Sequence, residues 1–254
     1  MPWNPDTYDL FKEKRSQPFY DLVRLIEPKD KLSIIDLGCG TGELTTELAD
    51  ILPGSHVIGI DSSEEMLGKS RRFEKENVRF ELRSIEDQLN LDEKFDLVFS
   101  NAAIQWVHDH RTLIPRIVSI INPAGQLVVQ LPSQHHNVTN KLLDQLAQEA
   151  PFSLQLKSWV RTSPVLETDE YAHLLFENGG SNIQVMEKIY PIIVDDSDSL
   201  FEWVSGTALI PYLDRLDQSG KQEFTNRYKK LLSSHFNTQP VFYSFKRIIM
   251  SATF

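Results

Sequence analysis

The chain alternates short, continuously apolar runs with longer segments in which apolar residues recur at helical spacing. The apolar runs predict strands at about 32–37, 56–60, 78–83, 95–100 and 126–131, with helices between them. Runs that are apolar throughout are typical of strands buried on both faces of a parallel sheet. The pattern therefore predicts a doubly wound α/β fold with a mostly parallel sheet.

The pattern changes after Pro132. Residues 133–167 and 197–237 look like helical or irregular insertions, which we expect to form a helical substrate cap over the strand ends. A core helix is predicted at 168–179, and two further strands, at about 183–194 and 241–253, would complete a seven-stranded sheet.

The expected organisation is a single domain over residues 1–254. Its predicted parts are an N-terminal lid arm at 1–30, a cofactor-binding core at 31–132, cap insertions at 133–167 and 197–237, and the C-terminal part of the core sheet at 168–196 and 238–254.

Composition excludes several classes of protein. The formal net charge of −10 and the pI near 5.2 oppose a general affinity for nucleic acid or anionic membranes. The single cysteine, Cys39, excludes an internal disulfide framework. The adjacent His135 and His136 point in different directions and have no acidic or thiol partner at ligand spacing, so we expect no metal. No apolar run approaches a signal peptide or membrane span, and we expect a cytoplasmic protein.

The most informative segment runs from Ile34 to Gly42, where a buried strand breaks into alternating glycines before a helix. Glycines at 38, 40 and 42 allow backbone to lie against a ligand or to adopt positive φ. Their spacing does not match the G-x-G-x-x-G of dinucleotide sites, and the chain has no P-loop sequence. These features predict a nucleoside ligand with no phosphate to bind.

Two acidic residues accompany the glycines. Asp36 lies just before them, and Asp61 ends the second predicted strand, where a carboxylate can accept hydrogen bonds from both ribose hydroxyls. Two acids and three glycines fit an adenosine derivative that carries positive charge.

The segment from Asp36 to Gly42, followed by Gly59-Ile60-Asp61, resembles the class I S-adenosylmethionine-dependent methyltransferases over roughly residues 30 to 132. The resemblance implies a Rossmann-like seven-stranded sheet, S-adenosylmethionine as cofactor and S-adenosylhomocysteine as product. It also implies a set of cofactor-binding residues. These are Asp36, Gly38, Cys39, Gly40, Asp61, Ser62, Met66, Ser84, Ile85, Asn101 and Ala102.

One of these positions departs from the family pattern. Ser84 stands where many members carry an acid that hydrogen-bonds the adenine amine, and its hydroxyl can accept one hydrogen bond without charge. Ile85 keeps the apolar contact that the resemblance implies for the adenine ring, and Asn101 lies at a strand end facing the methionine part.

A narrower resemblance extends over nearly the whole chain. Three groups of residues resemble the trans-aconitate methyltransferases: Trp3-Asn4-Pro5, Tyr8, Phe11 and Arg15-Ser16-x-Pro18; Asn101-Ala102-x-x-Gln105-Trp106; and Arg227-Tyr228. The resemblance implies transfer of a methyl group to a carboxylate of a small polycarboxylic acid, giving a monomethyl ester. The implied substrate-binding residues are Trp3, Tyr8, Arg15, Gln105, Trp106, His135, Tyr212 and Arg227. Ile210 departs from this pattern, because an arginine is expected there.

A carboxylate acceptor suits the absence of any recognisable catalytic triad. A carboxylic acid with a pKa of about 4 is already ionised at neutral pH and needs no general base. Catalysis would then depend on proximity and orientation, with Gln105, Trp106 and Arg15 as positioning residues. Cations that could hold a small anionic substrate are Arg15, His135, His136, Arg161, Arg215, Arg227, Lys246 and Arg247.

Two other hypotheses stay open at this point. The cofactor could serve another acceptor, such as a different acid, an acyl chain, an amine or a hydroxyl, and deprotonating an amine or hydroxyl would make His108, His135 or His136 essential. Alternatively, the chain could bind S-adenosylmethionine without catalysing transfer.

Overall fold

The computed structural model describes residues 12–159, 161–206 and 208–254, with side chains described from Ser16 onward. Trp3, Tyr8 and the rest of residues 1–11 of the predicted lid arm lie outside the described residues. The backbone of Arg15 lies in the helix Lys12–Val23, and its side chain is outside the described set.

The predicted seven-stranded sheet is confirmed. Its strands are β1 Ser33–Leu37, β2 His56–Asp61, β3 Val78–Leu82, β4 Phe95–Asn101, β5 Ile121–Pro132, β6 Ser181–Val194 and β7 Val241–Thr253. Their order across the sheet is β3-β2-β1-β4-β5-β7-β6. The first five strands pair in parallel, and β7 pairs antiparallel to β5. This arrangement confirms the doubly wound, mostly parallel architecture.

Helices separate the strands. Within the described ranges the α-helices are α1 Lys12–Val23, α2 Glu43–Ile51, α3 Glu64–Ser70, α4 Ile85–Gln88, α5 His110–Ser119, α6 Val138–Gln148, α7 Phe152–Gln155, α8 Thr168–Glu177, α9 Ser197–Ser205, α10 Ile210–Leu213 and α11 Gln218–His235. Two 3-10 turns lie at Arg71–Phe73 and Ile104–Trp106. None of the helices in the described ranges has both the length and the apolar character needed to cross a bilayer.

The central strand shows why the apolar runs predict the sheet correctly. Successive side chains of a strand point to opposite faces, and in β1 the side chains of Ile34 and Ile35 are both fully buried. Ile35 belongs to a core cluster with Val98, whereas Ile34 belongs to a second cluster with Phe99. Both faces of the sheet are therefore covered, which requires apolar residues at consecutive positions.

The fifth strand begins earlier than predicted, at Ile121 rather than near residue 126. The sequence Asn122-Pro123-Ala124-Gly125 has the composition of a turn, and Ala124 does adopt a positive φ of 63°. The segment nevertheless pairs with its neighbours: Ala124 N–H donates to the Phe254 carbonyl at 2.6 Å, and Phe254 N–H donates to the Gly125 carbonyl at 3.0 Å. Pairing with the distant chain terminus extends the strand through a segment with turn composition.

The chain divides into two compact units. We call the first the core unit; it contains Ser16–Pro132, Pro164–Lys188 and Arg247–Phe254. We call the other the helical unit; its described residues are 12–15, 133–159, 161–163, 189–206 and 208–246.

The helical unit has its own hydrophobic core. Leu143 of α6, Leu200 of α9 and the α11 residues Phe224, Tyr228 and Leu232 are all fully buried in one cluster. The segments expected to form a cap are thus helical and packed on one another, and their role as a cap stays a prediction.

Candidate active site

The strand order brings two loops of the core unit together. From β1 the chain proceeds to β2 and β3 on one side, and later continues through β4 and β5 on the other side. The loops that follow β1 and β4 therefore leave the carboxyl edge of the sheet side by side, which is where ligands of open α/β sheets bind. They are in direct contact, since a Cβ built on Gly38 would lie 2.1 Å from the Cβ of Ala103.

The glycine loop has the backbone that its sequence predicts. Gly38, Gly40 and Gly42 have φ values of 84°, 58° and 78°, a region that glycine adopts without steric cost. The N–H groups of Gly38 and Cys39 both donate to the Ile60 carbonyl at 2.9 Å, which fixes the loop to the end of β2. A Cβ on Gly42 would clash with Phe80 at 2.6 Å, whereas a Cβ on Gly40 would meet no atom within 4 Å. The loop thus has one open side, at Gly40.

Asp61 connects the glycine loop to the next helix. Its Oδ2 accepts a hydrogen bond from Gly40 N–H at 2.9 Å, and its Oδ1 accepts one from Ser63 N–H at 2.8 Å. A carboxylate offers about four acceptor positions, so two remain for a ligand such as a ribose diol. Ser62 and Met66 are two more of the predicted cofactor residues. Both are exposed, and they follow Asp61 in the sequence by one and five positions.

Asp36 is the most perturbed carboxyl group of the site. It is only 4% exposed, its Oδ2 accepts a hydrogen bond from the Thr45 hydroxyl at 2.6 Å, and its Oδ1 is buried with no hydrogen-bond partner. Burial raises the pKa of Asp36 to about 7; the Thr45 bond lowers it in part, and the negative charge of Asp61 raises it further. Burial, with the neighbouring Asp36 charge, also raises the pKa of the Cys39 thiol.

The loop after β4 carries the other predicted residues of the core unit. The Asn101 side chain accepts a hydrogen bond from the Gln130 amide, and Ala102 has a positive φ of 58°. The side chain of Gln105 is 6% exposed; its Nε2 donates to the Ala102 carbonyl at 2.7 Å, and its Oε1 has no partner. Trp106, in contrast, is 57% exposed. This loop thus combines a strained residue, a buried acceptor and an exposed aromatic ring.

Ser84 and Ile85 lie at the start of α4. The Ser84 Oγ accepts from Asp87 N–H at 3.0 Å and donates to the Asp87 carboxylate at 2.7 Å, so this hydroxyl caps the helix. Ile85 is buried in the core cluster of the sheet. The cap leaves one acceptor position on Ser84 for a ligand.

Two of the predicted substrate residues of the helical unit, Tyr212 and Arg227, make structural contacts within that unit. Tyr212 is 1% exposed, its hydroxyl donates to the Asp144 carboxylate, and burial raises its pKa. Arg227 forms an ion pair with Glu149 and also donates to the Ala150 carbonyl at 3.1 Å. His135 is exposed. The role of these three residues in substrate binding stays a prediction.

Sequence reasoning missed Thr45 and His110. Each lies on the apolar stripe of its helix: Thr45 precedes Leu48 at a spacing of three, and His110 precedes Leu113 and Ile114 at spacings of three and four. A polar residue in line with an apolar stripe is buried and needs a partner. That signal could have identified both residues, although not their partners.

The buried acceptors provide a test of the cofactor. Asp36 Oδ1 and Gln105 Oε1 are acceptors without donors, which is costly unless a ligand supplies the donors. S-adenosylmethionine carries an ammonium group, a positive sulfonium and a ribose diol. These groups match a site of carboxylates, buried acceptors and an open glycine, so the residues present fit this cofactor.

Comparison with known proteins agrees with the geometry. Residues 28–180 match the family described as a methyltransferase domain. The chain therefore belongs to the class I S-adenosylmethionine-dependent methyltransferases. It is 40% identical to a trans-aconitate 2-methyltransferase of Deinococcus radiodurans, over 100% of this chain and 98% of the relative. It is 32% identical to one of Variovorax paradoxus, over 91% and 88%.

A solved structure shows the same fold. The YcgJ protein of Bacillus subtilis superimposes with a TM-score of 0.60 at 18% identity, over 92% of this chain and 97% of that one. At this identity the likeness concerns the fold alone.

The open side of the glycine loop leads to a first prediction. In Gly40→Ala the new Cβ meets no protein atom, so we expect only the cost of a positive φ, about 1–2 kcal/mol of unfolding free energy. The same methyl group would occupy the ligand side of the loop, and we expect cofactor affinity, measured by calorimetry, to fall at least tenfold.

Gly179→Ala is the matched control, because Gly179 also has a positive φ, 87°, and open space around its Cβ position, but lies at the end of α8. It should lose similar stability and keep full cofactor affinity. Equal affinity in both variants would show that Gly40 does not face the cofactor.

The raised pKa of Asp36 leads to a second prediction. An unfolded aspartate titrates near 4, whereas the folded carboxyl keeps its proton to about pH 7. The protonated Asp36 carboxyl therefore contributes fully to the free energy of unfolding below pH 4, and this contribution is lost as the pH rises through 7. Asp36→Asn stays neutral, so the unfolding free energy of the variant relative to wild type should rise by about 2–3 kcal/mol between pH 5 and pH 8.

Urea unfolding of the cofactor-free protein at several pH values measures this difference. Asp92→Asn, a change at an exposed carboxyl, serves as the control. Parallel pH profiles for wild type and Asp36→Asn would contradict the prediction.

Proposed function

We propose that this methyltransferase transfers the methyl group of S-adenosylmethionine to a carboxylate of a small polycarboxylic acid such as trans-aconitate. The products would be a monomethyl ester and S-adenosylhomocysteine. The observation that carries the proposal is the match, along the entire chain, to relatives named trans-aconitate 2-methyltransferase. The match includes the helical unit as well as the cofactor-binding core.

In this proposal the core unit holds the cofactor. Asp61 binds the ribose hydroxyls with its two remaining acceptor positions, and Gly38 and Gly40 place their backbone against the methionyl and adenosyl parts. Asp36 and Gln105 supply buried acceptors to the positive end of the cofactor. The remaining predicted contacts would complete the cofactor site at the same edge of the sheet. They are Cys39, Ser62, Met66, Ser84, Ile85, Asn101 and Ala102.

The chemistry near the β4 loop supports an acceptor that needs no base. The histidine buried beside this loop, His110, uses both ring nitrogens in hydrogen bonds to Tyr171 and the Ile104 carbonyl. Burial also lowers its pKa. His110 is thus not free to deprotonate an amine or a hydroxyl, and such an acceptor would need His108, His135 or His136 as its base. A carboxylate is already ionised at neutral pH and needs none of them. Transfer would then depend on alignment of the carboxylate with the sulfonium methyl group.

A positive charge in the core unit supports an anionic acceptor. The Arg247 guanidinium is 8% exposed and donates to Gln130 Oε1 at 2.8 Å, and Gln130 in turn donates to Asn101. The charge therefore lies two hydrogen bonds from a predicted site residue. In a chain with a net charge of −10, such local cations are needed to attract a polyanion.

A panel of acceptors with methyl-labelled cofactor tests the reaction. It contains trans-aconitate, its cis isomer, propane-1,2,3-tricarboxylate, a dicarboxylate, a fatty acid and a primary amine. We expect label on a polycarboxylate, released as methanol by alkali because a methyl ester hydrolyses. Alkali-stable label on the amine would show that the acceptor is an amine and not a carboxylate. Cofactor binding without transfer to any compound would favour a binding role.

The ribose role of Asp61 needs a test that separates it from the loop contacts. Asp61→Ala also removes the acceptor of Gly40 N–H, so affinity for S-adenosylhomocysteine should fall about 100-fold or more, beyond a single lost hydrogen bond. A 2′,3′-dideoxy analogue isolates the ribose contribution. Wild type should bind it at least tenfold more weakly than S-adenosylhomocysteine, whereas Asp61→Ala should bind both equally. If wild type did not discriminate between them, Asp61 would act on the loop alone.

A further inference from the structure

A buried hydrogen-bond chain joins two helices of the core unit to the loop after β4. Its central members are His110, the first residue of α5, and Tyr171 of α8, which are 1% and 0% exposed. The Tyr171 hydroxyl bonds to His110 Nδ1, and His110 Nε2 lies 2.9 Å from the Ile104 carbonyl oxygen. The chain continues to Leu166, whose N–H donates to the Tyr171 oxygen at 3.2 Å.

Elementary donor and acceptor rules fix the direction of every bond in this chain. A carbonyl oxygen can only accept, so His110 Nε2 carries the proton and donates to Ile104. In a neutral imidazole Nδ1 is then an acceptor, and the Tyr171 hydroxyl donates to it. The Tyr171 oxygen is left to accept from Leu166 N–H. The three bonds are thus assigned consistently, and the Val107 backbone is a further hydrogen-bonding neighbour of the His110 ring.

The end of the chain, the Ile104 carbonyl, belongs to the 3-10 turn that carries Gln105 and Trp106. The same carbonyl also accepts from Val107 N–H at 2.9 Å, which closes the turn. His110 thus donates to the second acceptor position of the Ile104 carbonyl oxygen, the atom whose bond with Val107 N–H closes the turn.

This turn is costly to hold. The preceding Ala102 has a positive φ, which is unfavourable for a residue with a Cβ. The buried Gln105 Oε1 lacks a partner, which is also unfavourable. Such arrangements persist only where the surroundings fix them. The contact of Ala103 with Gly38 fixes one side of the loop, and the His110 chain fixes the other.

We infer that His110 and Tyr171 are positioning residues for methyl transfer, which act through the Ile104 carbonyl to hold Gln105 and Trp106 beside the glycine loop. The inference deepens the proposed function and rests on it for the nature of the acceptor. Neither residue touches the reacting atoms in this account.

Tyr171→Phe tests the inference with the loss of one oxygen atom. It removes the donor to His110 Nδ1 and the acceptor of Leu166 N–H, while the ring keeps its packing. We expect kcat/KM for the acceptor to fall at least tenfold, mainly through kcat, because misplacement of a positioning group by about 1 Å can cost 100-fold. The dissociation constant of S-adenosylhomocysteine should change less than threefold.

A readout independent of the acceptor comes from hydrogen exchange. The amides of Trp106 and Val107, bonded to the Ala103 and Ile104 carbonyls, should exchange at least tenfold faster in Tyr171→Phe. Amides of β1 should keep their protection. Loss of a merely structural residue would raise exchange throughout the core unit. It would also lower kcat/KM for the acceptor and affinity for S-adenosylhomocysteine by the same factor.

Arg111→Ala is the matched control. Arg111 follows His110 directly and forms an exposed ion pair with Glu170, so it joins the same two helices without touching the turn. This variant should keep wild-type kinetics and exchange rates, and a loss equal to that of Tyr171→Phe would overturn the inference.

Two histidine variants test whether the chain acts as a unit. His110→Ala should reproduce the loss, and His110→Gln should restore part of it, since its amide N–H can donate in place of Nε2–H. The double variant with Tyr171→Phe should be no worse than His110→Ala alone, because residues of one network are not additive. Additive losses would overturn the inference.

The outcomes separate this inference from the proposed function. If wild type methylates no acid while Tyr171→Phe still loosens residues 106–107, the proposed acceptor fails and the structural assignment holds. If wild type methylates a polyacid and Tyr171→Phe is indistinguishable from it in kcat and exchange, the proposed function holds and the inference fails.

Discussion

The close approach of the loops after β1 and β4 is the constraint on which the rest of the site depends. At Gly38 the backbone lies so near Ala103 that a single methyl group would overlap the alanine side chain. The contact follows from a strand order in which β1 lies between β2 and β4. It fixes the loop whose N–H groups bond to Ile60 and Asp61, and it sets the Gln105 turn against that loop.

The electrostatics of the site favour a cationic ligand over any other. Burial penalises the ionised form of Asp36 most strongly, and the negative charge of Asp61 raises the pKa of Asp36 further. A ligand that brings an ammonium group and a sulfonium relieves this repulsion and supplies donors to the unpaired acceptors. An anionic acceptor cannot be attracted by the same groups. Recognition of the proposed anionic acceptor would need cations, and the core unit contains one in the buried Arg247, which is joined to Asn101 through Gln130.

The residues predicted for the cofactor and those predicted for the acceptor differ in where they lie. The residues proposed for the cofactor all belong to the core unit and lie at strand ends, on the loops that follow them or in the first turns of α3 and α4. The residues predicted for the substrate are divided between the units, and those of the helical unit, such as Tyr212 and Arg227, make structural contacts there. A methyltransferase can therefore keep its chemistry while its acceptor changes with the less constrained part of the chain.

The sequence by itself determined the sheet, the glycine loop and the nature of the cofactor, because these depend on local patterns. Consecutive apolar residues such as Ile34 and Ile35 require burial on both faces, and alternating glycines before a helix require positive φ. Only the tertiary structure decided which groups meet over long separations. The start of β5 depends on pairing with Phe254, and the partner of His110 is Tyr171, 61 positions away. Such partners are fixed by how helices and strands pack, which no local pattern of residues encodes.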